Sequence, residues 1–197
     1  MGRVSTKNAG IRVGSEKAMR ALGERLGRLL EPGDFVGLSG ELGAGKTVLV
    51  RGIAQGAGVP PGEVASPTFA IVYPYRGRIP IFHADLYRVA DADELYATGF
   101  FDLLGAGGAT LVEWIDRVPE AVPPEHLQIR IERTGARTRR IALEAAGERH
   151  EGLARALAAE ALSGPRTRGP LEERPSAGRL GSGKPAAKTP PRGRKKR

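Results

Sequence analysis

Residues 40–47 read Gly-Glu-Leu-Gly-Ala-Gly-Lys-Thr, and this stretch decides the fold prediction. It satisfies the pattern Gly-x-x-x-x-Gly-Lys-Ser/Thr at every fixed position. A short apolar run at residues 35–38 precedes it, and residues 47–57 are predicted to form a helix. Strand, glycine-rich loop and helix in this order are typical of a phosphate-binding loop (P-loop), in which backbone amides and the helix N-terminus face phosphate oxygens.

The residue types in this loop suit a nucleotide and its metal ion. The glycines let the backbone wrap closely around phosphate, Lys46 is expected to reach the β- and γ-phosphates, and the Thr47 hydroxyl is expected to bind Mg²⁺. The alternative is a glycine-rich turn with an incidental lysine, which the flanking strand and helix argue against. The candidate binding residues are Gly40, Glu41, Leu42, Gly43, Ala44, Gly45, Lys46 and Thr47.

Two acidic residues follow predicted strands. Asp85 comes after the strand at residues 79–83, and Glu113 comes after the strand at residues 109–112. Ligands of open α/β sheets bind beyond the carboxyl ends of the strands, so both acids are candidates for the same phosphate site. An acid in this position is more often a helix cap or a solvated turn residue, but metal-dependent phosphate chemistry requires nearby carboxylates.

Two further side chains have more than one interpretation. Alternation along the strand favours a packed, hydrogen-bonded His83 over a catalytic one. Trp114, the only tryptophan, is by default a large core or edge residue, and its place beside Glu113 leaves a role in lining the site open.

The rest of the chain predicts an α/β sheet. A helix begins after Ser15 and ends at Pro32-Gly33, and residues 56–67 form a long surface loop. The other predicted elements are strands at 69–75, 79–83, 109–112, 127–133 and 139–143, and helices at 91–98 and 148–162. Helices that alternate with strands indicate a mainly parallel sheet between helical layers, and the last two strands add an antiparallel extension.

The charge is unevenly distributed. Lys and Arg number 31 against 22 Asp and Glu, a net charge of +9, and residues 163–197 hold eleven basic and two acidic residues. The body is therefore formally neutral, which excludes a uniformly basic nucleic-acid surface there. We predict a flexible N-terminus (1–12), one P-loop domain (13–162) and a disordered basic tail (163–197), because the tail has too few apolar residues to fold.

Composition also excludes several kinds of protein. No cysteine is present, so a disulfide framework, a thiolate metal site and a thiol nucleophile are excluded. The apolar runs are far shorter than the ~18 residues that a membrane helix needs. We expect a cytoplasmic protein without a membrane partner.

Four sequence blocks together carry a family resemblance. The P-loop of residues 40–47, Ser66-Pro67-Thr68-Phe69, the block His83 to Arg88 and Val112-Glu113-Trp114 occur in the order seen in the TsaE (YjeE) family, which this chain resembles over about residues 13–147. That family is the small bacterial ATPase of tRNA threonylcarbamoyladenosine synthesis. The resemblance implies a compact P-loop NTPase fold that binds ATP and Mg²⁺ and, on its own, hydrolyses ATP slowly.

The resemblance also implies partners and residue roles. TsaD and TsaB are the implied partners; TsaD transfers the threonylcarbamoyl group to the adenosine beside the anticodon of tRNA, and the ATPase supports that transfer. Thr47 and Glu113 resemble the Mg²⁺ ligands, Asp85 the acid at the γ-phosphate, and Lys46, Asp85 and Glu113 the catalytic set. Trp114 is implied to line the ATP site. A nucleotide-sensing, switch-like loop is implied at Ser66, Pro67, Thr68 and Phe69.

Some positions depart from the family pattern, and some alternatives stay open. Met19 lies where members often carry a threonine near the adenine, and Val48 replaces a common Thr or Ser. The tail is either a tether that binds tRNA or a solubilising extension. Without a tether, this protein would contact tRNA only through its partners. The competing functions are a small-molecule kinase that uses the same loop and a nucleotide-dependent scaffold without required turnover.

Overall fold

A single β-sheet forms the centre of the fold. The computed structural model describes residues 3–5, 10–64 and 71–163. Within these residues the strands are β1 (Arg3–Ser5), β2 (Ile11–Val13), β3 (Phe35–Ser39), β4 (Val72–Arg76), β5 (Pro80–Asp85), β6 (Ala109–Glu113), β7 (His126–Arg133) and β8 (Arg139–Ala146). The α-helices are α1 (Glu16–Leu29), α2 (Lys46–Gly56), α3 (Ala92–Ala97) and α4 (Glu148–Ser163).

The centre of the sheet is parallel and both edges are antiparallel. The order is β1-β8-β7-β3-β6-β5-β4, and β2 also pairs with β8. β3 lies parallel to β6 and β7, and β5 lies parallel to β6, whereas β4 and β8 run antiparallel to their neighbours. The predicted α/β fold is confirmed; its sheet is mixed, with parallel pairs at the centre and antiparallel pairs at both edges.

Helices cover the sheet from two sides. On one side, apolar residues of α1, α2 and α4, among them Leu26, Leu49 and Leu157, pack against the strands in one buried cluster. On the other side, α3 and short 3-10 helices supply residues such as Leu95 and Phe100 to a second cluster. The sheet is therefore the middle of three layers, as predicted.

The pairing register brings three strand ends together. Leu38 on β3 pairs with Glu113 on β6, and Glu113 pairs in turn with Asp85 on β5. Because parallel strands end at the same edge of a sheet, both acids lie at the edge where β3 leads into residues 40–47.

Helices α1 and α2 touch backbone to backbone through glycines. A Cβ atom at Gly23 or Gly27 of α1 would meet the carbonyl oxygens of Leu49 and Ile53 on α2. In return, a Cβ atom at a glycine of α2, Gly52 or Gly56, would meet the carbonyl oxygens of α1 residues Arg20 and Glu24. Each helix thus has two glycines four residues apart, on one face, aimed at its partner. Only glycine allows so close an approach.

The chain start differs from the prediction. No strand is predicted before residue 35, yet β1 and β2 pair antiparallel with β8. Each has three residues, which is too short for an alternating pattern to be recognised, and pairing with β8 is what makes them strands. The domain limits at 1–12, 13–162 and 163–197 stay predictions, and residues 164–197 lie outside the described residues.

Other boundaries differ by a few residues. The strand predicted at 69–75 is β4, which begins at Val72 and carries Pro74, as an edge strand can. Ser15 caps α1 as predicted, since its hydroxyl accepts from the Ala18 backbone N–H at 3.1 Å. No helix in the described part of the chain is long and apolar enough to cross a membrane.

We predict that Gly27→Ala destabilises the protein although alanine favours helices. The added methyl collides with the Ile53 carbonyl, and forcing extra volume into such a contact costs about 1–3 kcal/mol. In a domain of this size each kcal/mol lowers the melting temperature by roughly 2–4 °C, which calorimetry measures.

Gly152→Ala is the matched control. Gly152 lies in α4 and a methyl there meets nothing within 4 Å, so the same substitution is expected to stabilise by about 0.5–1 kcal/mol. Equal melting temperatures for the two variants would show that the α1–α2 contact tolerates a side chain.

Candidate active site

The loop between β3 and α2 has the conformation that its glycines allow. Gly40 has φ 142° and Gly45 has φ 110°, values that other residues rarely adopt. A Cβ atom at Gly40 would also meet the Ile131 carbonyl oxygen on β7. Gly45 is the N-cap of α2 and provides no side-chain hydrogen bond, so the first N–H groups of α2 are left for a ligand.

Lys46 is held inside this loop. Its Nζ donates to the backbone carbonyls of Gly40 at 2.6 Å and Glu41 at 3.1 Å. The ammonium also lies 3.4 Å from the centre of the Trp114 ring. Burial lowers the pKa of Lys46, and the negative charges of nearby carboxylates, with Glu113 the strongest, oppose the shift. The lysine is thus positioned before any phosphate arrives.

A chain of hydrogen bonds runs from α2 through β6 to β5. The Thr47 hydroxyl donates to Glu113 Oε2 at 2.9 Å, and the His83 ring nitrogen Nε2 lies 3.0 Å from Glu113 Oε1. Glu113 and His83 are both buried, with exposed fractions of 2% and 0%. The Glu113 carboxylate therefore has a partner on each oxygen.

Asp85 lies beside this chain and is half-buried. Its Oδ1 accepts the backbone N–H of Tyr87 at 2.9 Å. Burial raises the pKa of Asp85, the Tyr87 hydrogen bond opposes the shift, and the neighbouring Glu113 charge adds to it. A carboxylate whose pKa is raised is a better proton acceptor near neutral pH.

Aromatic rings continue the site toward solvent. The centre of the Trp114 ring lies 3.4 Å from the Lys46 ammonium and 4.9 Å from the centre of the Tyr87 ring. The guanidinium of Arg117 lies 5.9 Å from the centre of the Tyr87 ring. Trp114 has φ 60°, the one positive φ outside glycine among the described residues. Such a left-handed conformation costs about 1–2 kcal/mol for a residue other than glycine.

A cavity of about 520 Å³ opens on the other side of the loop. Its walls come from the start of α1, including Met19, from Val48 on α2 and from the β7–β8 hairpin. Arg139 of β8 lines it and donates from Nε to the Ala44 carbonyl at 3.0 Å and from Nη2 to the Gly43 carbonyl at 3.5 Å. The cavity is large enough for a nucleoside.

Comparison with known proteins identifies the family. A sequence model of the family described as "Threonylcarbamoyl adenosine biosynthesis protein TsaE" matches residues 13–141, more than half of the chain. The chain belongs to the TsaE family. A protein named tRNA threonylcarbamoyladenosine biosynthesis protein TsaE from Bacillus subtilis is 39% identical over 139 residues, which cover 70% of this chain and 86% of that relative.

A second relative and a solved structure also support membership of this family. The TsaE protein of the same name from Streptomyces coelicolor is 41% identical over 138 residues, covering 66% of this chain and 93% of that relative. The crystal structure of YdiB from Bacillus subtilis is 30% identical, with a TM-score of 0.63, and the match covers 81% of this chain and 96% of YdiB. The predicted P-loop NTPase fold is confirmed.

The donor atoms present suit the magnesium ion that P-loop chemistry implies. The Thr47 hydroxyl and the Glu113 carboxylate present oxygen atoms 2.9 Å apart, and Mg²⁺ prefers one or two protein oxygens together with phosphate oxygens and water. Residues 3–5, 10–64 and 71–163 contain no cluster of three acidic or histidine side chains that would hold a metal by itself. This TsaE chain thus fits a metal that arrives with a nucleotide.

The structure brings most of the predicted site residues of this TsaE chain together. One end of the loop is surrounded by five of them: Lys46, Thr47, Asp85, Glu113 and Trp114. The side chains of Glu41 and Leu42 are exposed to solvent. The predicted switch-like loop at residues 66–69 lies outside the described residues.

Sequence reasoning missed several contributors. The prediction of a packed, hydrogen-bonded His83 is correct, but its partner, Glu113, was not predicted. Two other residues were not predicted at all. The negative charge of Asp116 opposes the lowering of the Lys46 pKa by burial, and Arg139 donates a hydrogen bond to the Ala44 carbonyl of the loop. The contact of Arg139 could not be predicted from the sequence, because Arg139 and Ala44 are 95 residues apart in the chain. Alternation along β5 was the signal for His83.

We predict that Arg139→Leu weakens nucleotide binding by about 10- to 100-fold, because a hydrogen bond from a charged group contributes roughly 1.5–3 kcal/mol and the loop loses its hydrogen bonds to Arg139. Quenching of Trp114 fluorescence during nucleotide titration measures the affinity.

Arg140→Leu is the control for this prediction. Arg140 is the next residue along β8, and its guanidinium pairs with Glu132 at 2.6 Å instead of with the loop. We expect wild-type affinity for this variant. If the two leucine variants bind the nucleotide equally well, Arg139 does not stabilise the loop.

Proposed function

We propose that this chain is a magnesium-dependent ATPase that acts in the synthesis of threonylcarbamoyladenosine in tRNA. One observation carries the proposal: the ends of β3, β5 and β6 gather a P-loop lysine, a threonine hydroxyl and two carboxylates around one point. The family match and the names of the relatives support the pathway.

ATP binding would use groups that are already placed. The amides of residues 40–47 and the N-terminus of α2 would hold the phosphates, and Lys46 would exchange its contacts with Gly40, Glu41 and Trp114 for phosphate oxygens. The cavity beside Met19 and Arg139 would take the nucleoside. Because Met19 is apolar, it would pack against the base and would make no hydrogen bond with it.

The two metal-facing oxygens would have one shared task. Thr47 and Glu113 would hold Mg²⁺, whose charge offsets that of the β- and γ-phosphates during transfer. Glu113 is buried and is held by hydrogen bonds on both oxygens, so it would keep its orientation when the ion enters.

Asp85 would orient the attacking water. Its Oδ1 is occupied by the Tyr87 N–H, while Oδ2 has no hydrogen-bond partner among the described residues. The raised pKa of Asp85 would help Oδ2 take a proton from the water as the γ-phosphate is transferred. With no second substrate bound, the products would be ADP and phosphate.

The family resemblance supplies the partners of this proposal. TsaD would carry out the transfer to tRNA and TsaB would complete the complex, while slow hydrolysis by this chain alone would accelerate on assembly. The whole process would take place in the cytoplasm, where the tRNA is modified. Residues 66–69 would sense the nucleotide, because contacts to a γ-phosphate can order a loop that relaxes after hydrolysis.

The basic tail would assist by contacting tRNA. Its eleven Lys and Arg residues would bind phosphates without sequence preference, and such binding weakens steeply as salt rises. The folded body is formally neutral, so it would meet tRNA through the partner proteins.

We predict that Lys46→Ala and Asp85→Asn both abolish ATP turnover and both fail to restore threonylcarbamoyladenosine in a strain that lacks its own TsaE. Lys46→Ala removes phosphate binding, whereas Asp85→Asn removes the proton acceptor and leaves ATP affinity within a few fold. Phosphate release and mass spectrometry of digested tRNA measure the two effects.

Three outcomes would contradict the proposal. Full restoration by Lys46→Ala would exclude a requirement for ATP bound at the P-loop of this chain. Restoration by Asp85→Asn without turnover would favour a nucleotide-dependent scaffold. ADP formation that depends on a small molecule and yields its phosphorylated form would favour a kinase.

For the tail, we predict that deleting residues 163–197 leaves ATP affinity unchanged and removes the salt-dependent part of tRNA binding. Gel-shift titrations at several salt concentrations measure this binding with and without the tail. Identical tRNA affinity and salt dependence for the two chains would show that the tail is only a solubilising extension.

A further inference from the structure

His83 is a buried polar residue that the proposed function leaves without a task. It lies on β5, two residues before Asp85 and on the same face of the strand. Its ring is fully buried and lies 6.2 Å from the ring of Tyr75. A histidine so deep in the sheet needs a physical reason, because burying a polar ring costs free energy unless it is hydrogen-bonded.

The contacts of His83 define which ring nitrogen carries the proton. Nε2 lies 3.0 Å from Glu113 Oε1, and a carboxylate oxygen only accepts, so Nε2 donates. Nδ1 is buried and has no hydrogen-bond partner among the residues that the structure describes. A hydrogen on Nδ1 would find no acceptor there, so the geometry places the ring hydrogen on Nε2, facing Glu113.

The donated hydrogen bond restricts the Glu113 carboxylate. Oε1 is held by His83 and Oε2 faces the Thr47 hydroxyl at 2.9 Å. Rotation of the carboxylate would break both bonds inside a buried site. With Oε1 occupied, only Oε2 is directed at the position where the Thr47 hydroxyl and a nucleotide-bound cation would meet.

We propose that His83 is a positioning residue that presents Glu113 to the metal through one oxygen. The proposal rests on the proposed function, in which Glu113 and Thr47 hold Mg²⁺. His83 touches neither the nucleotide nor the ion, and it acts by fixing the orientation of a ligand. Outer partners of this kind typically change metal affinity by 10–100-fold when they are removed.

The test compares two substitutions that differ in one hydrogen-bond donor. His83→Phe keeps a ring in the core but removes the donor, whereas His83→Gln keeps an N–H near the position of Nε2. His126→Gln is the matched control, since His126 is also buried but bonds to the Pro123 carbonyl, away from the loop. Mn²⁺ binding to the ADP complex is measured by electron paramagnetic resonance, and ADP binding is measured separately in EDTA.

We expect His83→Phe to lose Mn²⁺ affinity by about 10–100-fold while its ADP affinity in EDTA matches that of the wild type. His83→Gln should recover most of the loss, and His126→Gln should show none. Wild-type Mn²⁺ affinity for His83→Phe, or equal losses for the Phe and Gln variants, would overturn the proposal. If the wild-type protein itself binds no Mn²⁺ with ADP, the proposed function fails, and this inference fails with it.

A second measurement needs neither metal nor a folded Phe variant. Nitrogen chemical shifts of the histidine rings in the metal-free wild-type protein distinguish a protonated Nε2 from a protonated Nδ1, and the signal missing from His83→Gln assigns His83. We expect the hydrogen on Nε2. A hydrogen on Nδ1 would overturn the proposal, because Nε2 could then donate nothing to Glu113.

Discussion

The pairing of three parallel strands is the constraint on which the site depends. Leu38, Glu113 and Asp85 occupy one row across β3, β6 and β5, so the loop that leaves β3 meets both acids without any further adjustment. A shift of one residue between β5 and β6 would turn Asp85 to the opposite face. The hydrogen bond between Thr47 and Glu113 then ties the first turn of α2 to this row.

The two sides of the loop are built by different means. On the side of Lys46, the ammonium is held by the carbonyls of Gly40 and Glu41 and by the Trp114 ring, and Trp114 itself has a left-handed backbone. On the side of the cavity beside Met19, the glycine contact holds α1 against α2, and Arg139 donates hydrogen bonds to the loop from β8. The contacts of Lys46 with Trp114, of α1 with α2 and of Arg139 with the loop join segments far apart in the chain, so the complete site exists only in the folded domain.

Local chemistry made much of the structure predictable. The residue pattern at 40–47 identified the loop, its strand and its helix, and a P-loop's need for carboxylates pointed to Asp85 and Glu113. What could not be predicted depends on long-range packing. β1 and β2 are strands only because β8 lies beside them. The glycines of α1 look like weak points in a helix until α2 is placed against them.

The glycine contact also limits how this domain can be recombined. Most helix pairs meet through side chains, and a new partner can be accommodated by repacking them. Here the surfaces in contact are main chain, and Gly23 and Gly27 fit only a partner that carries glycines in the register of Gly52 and Gly56. A chimaera with a relative must therefore either take α1 and α2 from one parent or join parents that both carry glycines in this register. Helices α1 and α2 are therefore matched to each other, although β3 and the loop at residues 40–47 separate them in the sequence.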